Sequence, residues 1–214
     1  MLPGLSPLVS GAAGAAGVRS LSLLGYAAST GTLSGLALPI PPTKGRLILV
    51  HSVGWGANAT AGSSAVVTPN VGATVSLTRL GPVSGTVSDG SSRWVGYCAL
   101  WYGEVPQGTT ASISVNNGGT GRAIAAWMLG TARSAVPVSS GAAAGAVTLA
   151  VPTNGAGIFV GLLGAAQTAP AGFQQSYSVN IYNGIRATAW TVLRPSVPLS
   201  LSYAAGLTIA ASWS

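Results

Sequence analysis

A chain of 214 residues is long enough for one domain with a sizeable core. Charged residues make up 5% of it, against roughly 25% in ordinary globular proteins; Asp89 and Glu104 are the only acids and His51 the only histidine. Such a supply excludes clustered metal ligands, and the 48% apolar content excludes a charge-rich disordered chain.

Residues 1–43 are rich in Gly, Ala, Ser, Leu and Pro, and GAAGAAG cannot build a core alone. The start lacks the positive charge and compact apolar stretch of a signal peptide. Leu21, Leu23, Leu24, Leu33 and Leu36 are too apolar for a solvated linker. An assembly arm that orders against a partner accounts for them, as does a first strand preceded by a tail. Pro39–Pro42 favours extended backbone and sets the expected boundary, with a β domain over 44–214.

From Lys44 onward, runs rich in β-branched and aromatic residues alternate with Gly, Asn and Pro. They predict strands near 46–54, 65–68, 73–80, 93–103, 109–116, 121–130, 145–151, 157–164, 175–182, 185–193 and 199–212. In TTASISV, Ala111, Ile113 and Val115 alternate with polar residues, so one face is buried. RLILVHSV and GIFVGLLG are apolar throughout, which suits strands covered on both sides. Asn183-Gly184 predicts a hairpin with a type I′ turn. A strict two-residue loop places Ile181 and Arg186 on one face, so a bulge or longer loop is expected nearby. Strand after strand with short turns predicts an all-β antiparallel sandwich or barrel, the sandwich being preferred. Residues 134–185 carry no charge, but Pro137, Pro152 and Pro170 interrupt them, so no membrane span is expected.

His51 shares a strand face with Leu49 and Val53 and reads as a hydrogen-bonded core or interface residue. Asp89 in SDGSS suits a turn cap. Glu104 closes a strand before a proline turn. Two carboxylates could form a glycosidase pair, but nothing in the spacing brings them together. No GxSxG elbow is present, and GTGR and NNGG are glycine turns without the GK[ST] of a phosphate loop. Cys98 is alone and reads as a small buried hydrophobe. The net charge is +7, with eight arginines to one lysine. The arginines form no cluster, so no nucleic-acid partner is expected. Among the aromatics, Trp55 in GWGAN is the candidate exposed ring, with Asn58 as a candidate glycan or partner contact. Asn70 and Gln107 are further sources of sugar hydrogen bonds.

The stretch RWVGYCALWYGEVPQGTTASISVNNGGTGRAIAAWMLGT, with GRLILVHSV before it and AAGLTIAASWS at the end, resembles jelly-roll domains of tailed-bacteriophage virion proteins, of tail-fibre, spike and capsid-decoration type. The likeness is one of texture and order over about 45–214. It implies a jelly-roll-like β-sandwich, often a homotrimer, that contacts other virion proteins and is attached by an N-terminal segment. It implies no catalytic residue and no cofactor. The expected function is that of a non-enzymatic virion structural protein, assembled in the bacterial host cytoplasm. The alternative is a carbohydrate or host-receptor-binding module that takes a surface glycan.

Overall fold

The β-branched and aromatic runs become strands, and the turn residues between them become short connections. The computed structural model describes residues 17–31, 33, 35–42, 45–60, 62–88, 90–91 and 93–214. The strands are β1 (Ser20–Ser29), β2 (Gly35–Pro39), β3 (Arg46–Trp55), β4 (Ala65–Pro69), β5 (Val75–Ser76), β6 (Thr78–Ser88) and β7 (Arg93–Glu104). They continue as β8 (Thr110–Val115), β9 (Gly121–Gly130), β10 (Ser139–Val151), β11 (Ala156–Leu163), β12 (Gln174–Tyr182), β13 (Ile185–Leu193) and β14 (Leu199–Trp213). All pairings are antiparallel, and the fold is an all-β sandwich.

A central sheet has the order β1-β9-β3-β7-β6, a second β10-β14-β11-β13-β12, and a smaller third β2-β8-β4-β5. The central sheet is covered on both faces. Leu47, Leu49, Val53 and Trp55 of β3 pack with Ile158, Val160 and Leu162 of the second sheet. Ile48 and Val50 of the same strand pack with Val67, Ile113 and Val115 of the small sheet. Every residue of β3 is therefore buried, as is every residue of β11. Each buried aliphatic side chain contributes roughly 1.5–3 kcal/mol, which makes these two layers the main stabilising feature. The alternation in β8 is as expected, with Ala111, Ile113 and Val115 inside.

The second sheet has an additional cover. β10 and β14 pair along their whole length, with an irregularity between Ala144 and Ala146. Gly145 (φ 126°) and Gly206 (φ 53°) face this break, and the ribbon doubles back there. The Ser212 hydroxyl donates to the Ala150 carbonyl at 2.6 Å. Tyr203 meets Trp190 and Phe159 edge-on at 5.0 and 5.8 Å between ring centroids. The far half of the ribbon thus encloses a third core of Leu149, Val151, Phe159, Phe173 and Trp190.

The expected boundary at residue 43 is corrected. β1 pairs with β9 from Ser20↔Gly130 to Ser29↔Arg122, and β2 pairs with β8. Leu21 and Leu23 pack on the core between the central and second sheets; Leu24, Leu33 and Leu36 pack on the other core. Neighbouring Leu23 and Leu24 point to opposite faces by the ordinary alternation of a strand, and a bulge between Leu23 and Gly25 shifts the register after them. These leucines belong to strands and the loop between them, not to a free arm; residues 1–16 lie outside the described residues. β10 begins earlier than expected and β6 runs further, with a bulge between Leu80 and Val83 beside the cis Gly81–Pro82 peptide. The Asn183-Gly184 hairpin is present, with φ of 37° and 86°. Tyr182 pairs with Ile185, and a register shift between Asn180 and Tyr182 sets Asn180 opposite Arg186. That bulge leaves Ile181 buried, which resolves the clash of faces.

Candidate functional site

At one end of the central sheet, Tyr97 of β7 and Arg122 of β9 flank Gly54 of β3 in register. A Cβ on Gly54 would lie 2.2 Å from the Gly118 carbonyl oxygen and 2.3 Å from the Tyr97 ring. The loop between β8 and β9, Asn116–Thr120, passes directly over this glycine. It is held by Thr120 N–H to the Trp55 carbonyl at 2.8 Å and Gly118 N–H to the Thr60 carbonyl at 3.4 Å. Arg122 Nε donates to the Gly119 carbonyl at 2.9 Å. The guanidinium is thereby anchored by one nitrogen.

Beside it opens a groove of about 660 Å³, reaching over the outward face of β8. Ser112 and Ser114 alternate outward there because Ala111, Ile113 and Val115 fill the core. Ser64, Asn116, Asn117 and Arg122 add polar groups, and Leu33 and Val66 add apolar surface. Asn116 Nδ2 donates to the Ser63 hydroxyl at 3.3 Å. Behind the loop, the Tyr97 hydroxyl and both amide atoms of Asn117 are buried without a hydrogen bond of normal geometry. Burial pushes the Tyr97 hydroxyl well above its usual range, against smaller opposing pulls from the nearby Asn117 amide and the Arg122 charge.

Trp55 does not offer an exposed ring, which corrects the sequence expectation. It is 1% exposed, its Nε1 donates to the Val87 carbonyl at 3.0 Å, and its ring lies 5.0 Å from that of Tyr182. Its position on the odd face of β3 directs it into the main core. Asn58 is exposed at φ 61° in a turn where Ala59 N–H donates to the Gly56 carbonyl at 3.1 Å. This turn abuts the Asn116–Thr120 loop, so Asn58 lies at the groove end of the molecule. Asn70 is engaged locally: its Oδ1 accepts from the Thr109 and Thr110 amides at 2.9 and 3.2 Å. Gln107 lines a separate concavity with Pro42, Arg46 and Val71. Arg46 is buried and donates to the Val105, Pro41 and Gly108 carbonyls, a structural anchor of the chain crossing there.

His51 is fully buried, with Nδ1 2.5 Å from the Tyr177 hydroxyl and Nε2 3.4 Å from Cys98 Sγ. Burial lowers its pKa from 6.5 to about 3 and raises those of Tyr177 and Cys98 well above their usual values. All three are held neutral. With Tyr177 donating to Nδ1, the ring proton sits on Nε2 and is directed at the thiol sulfur. The expectation of a hydrogen-bonded core histidine is met. Glu104 is exposed at the end of β7, whereas His51 has no contact with solvent; Asp89 lies outside the described residues.

Sequence reading passed over Asn116, Asn117 and Arg122 as a glycine turn and one of several scattered arginines. The usable signal was NNGG followed three residues later by Arg, in a chain with so few charges. Comparison with protein-family models, curated proteins and solved structures gives no match.

Proposed function

We propose that this protein is a non-enzymatic structural subunit of a bacteriophage virion, which acts by assembling with copies of itself, a trimer being the expected form, and with other virion proteins. The observation that carries this reading is the chemistry of the sheet edges. β1, β10 and β12 are edge strands, and SLSLLGYAAS, SSGAAAGAVTLAV and QQSYSVNIY contain neither a charged residue nor a proline. Isolated proteins commonly guard such edges with Lys or Pro, because unpaired N–H and C=O groups recruit further strands. The edge strand β6 carries Arg79 and Pro82, whereas β1, β10 and β12 are interrupted only by bulges, and such edges suit burial between subunits. Trp94 and Val95, adjacent on β7 and 45% and 54% exposed, add apolar contact surface. The glycan-platform alternative loses its proposed ring with the burial of Trp55.

Light scattering on the full chain tests the reading. A discrete oligomer is expected, and introducing Ala28→Lys on β1 with Asn180→Lys on β12 should weaken it. A monodisperse monomer at all concentrations would overturn the proposal.

A further inference from the structure

We propose that the groove beside Arg122 binds an acidic saccharide, a sugar of uronic-acid type whose carboxylate engages the guanidinium. The proposal stands apart from the assembly reading, since a subunit or a solitary domain could carry the site.

Arg122 supplies the charge. Its Nε is committed to the Gly119 carbonyl, and its terminal nitrogens have no hydrogen-bond partner among the described residues. Among the described residues no carboxylate lines the groove to neutralise it. A planar guanidinium with a free edge matches a carboxylate, where paired charge-assisted hydrogen bonds form. The remaining polar lining is neutral: the hydroxyls of Ser64, Ser112 and Ser114 and the carboxamides of Asn116 and Asn117. Groups that both donate and accept suit sugar hydroxyls better than a second anionic centre. One cation among neutral groups also argues against a polyphosphate or nucleic-acid backbone, which calls for several. Leu33 and Val66 give the C–H face of a ring an apolar surface. The volume of about 660 Å³ lies within the roughly 300–1,000 Å³ of small-molecule sites.

The second, independent observation is a buried polar pair behind the groove. The Tyr97 hydroxyl and the two Asn117 amide atoms are buried together with no hydrogen bond of normal geometry. Tyr97 is only 1% exposed, so open solvent does not compensate it. The Asn117 amide lies close enough to the Tyr97 hydroxyl to oppose its upward shift, yet neither forms a hydrogen bond of normal geometry among the described residues, and a buried polar group left so costs about 1–3 kcal/mol. Asn117 lines the groove, so rotation of its side chain presents the amide to an occupant. A bound sugar then offers the Asn117 amide a partner, while Tyr97 stays behind the lining.

The test is a titration of the isotopically labelled full chain, followed by amide and side-chain NMR, with glucuronate, glucose, acetate and inorganic phosphate. Saturable shifts at Asn116, Asn117 and the Arg122 Nε–H are expected with glucuronate. Glucose and acetate should bind at least about tenfold more weakly, since each supplies only half of the recognition. Arg122→Gln should cost at least about tenfold in affinity, and Arg122→Lys should restore only part of it because the fork is lost. If Arg122→Gln does not fold, Ser114→Ala and Asn116→Ala give the same reading, since both are exposed and their loss should weaken glucuronate but not acetate. Absence of saturable shifts with glucuronate overturns the proposal. So does an equal response to acetate or phosphate, which would mark a simple anion contact, or glucuronate affinity unchanged in the variants. None of these outcomes bears on the oligomeric state.

Discussion

His51 occupies a strand with no solvent on either side, and its ionisation is governed by that location. The folded-state pKa of about 3 lies below the ordinary 6.5, so protonation favours the unfolded chain. Its contribution is fully present above pH 6.5 and is lost progressively as the pH falls towards 3, at roughly 1.4 kcal/mol per unit. Denaturant midpoints should fall across that window, and His51→Gln should flatten the fall; an unchanged slope in the variant would refute the assignment. Trp55 teaches a different lesson. Its glycine neighbours suggested a loop, but Gly54 is small because the Gly118 carbonyl passes overhead, and Gly56 (φ 106°) ends the strand. Glycine here signals close backbone approach, which a sequence shows in the same letters as flexibility. Trp55→Ala should cost about 3–5 kcal/mol in chemical unfolding, the penalty of a core cavity, where an exposed ring would cost little. The polar groove was illegible for a related reason: Tyr97, Asn117 and Arg122 converge only once β7, β3 and β9 are in register.

The doubled-back ribbon of β10 and β14 depends on two glycines that fail differently. At Gly145 (φ 126°) a Cβ meets nothing within 4 Å, so Gly145→Ala should cost only the penalty of a φ that L residues rarely adopt, about 1–3 kcal/mol. At Gly206 the added Cβ would lie 2.4 Å from the Leu162 carbonyl oxygen, with φ at 53°. Gly206→Ala should be clearly the more destabilising, by thermal or denaturant melts of the pair; equal costs would show that the ribbon does not need this close turn. Strands with strong chemistry were readable, as the alternation of β8 and the Asn183-Gly184 turn show. The first half of β10, SSGAAAG, has no β-branched or aromatic residue, and only its pairing with β14 makes it a strand. β1 was obscured because its bulge breaks the period of two just where Leu23 and Leu24 adjoin.

Across the whole molecule, the leucine-rich N-terminal strands are structural parts of both main cores. A chain beginning at Lys44 would leave β9 without β1 and β8 without β2, and would uncover Trp127 and Ile113. Such a chain should lose cooperative unfolding or aggregate; a soluble, cooperatively folded product would show the segment to be dispensable. β3 serves both of those cores at once, and this creates a problem of alignment. In a sheet with one wet face, a slip of one residue exposes the apolar side chains and is rejected by water. In β3 the same slip would merely exchange one dry layer for another, so hydrophobicity is nearly blind to it. The strand is instead indexed by its few polar residues. His51 must find Tyr177 on one side, while Ser52 must accept from Trp101 Nε1, at 3.0 Å, on the other. A strand displaced by one position would strand both groups in the wrong layer, and this pair of buried hydrogen bonds acts as the key that admits a single alignment.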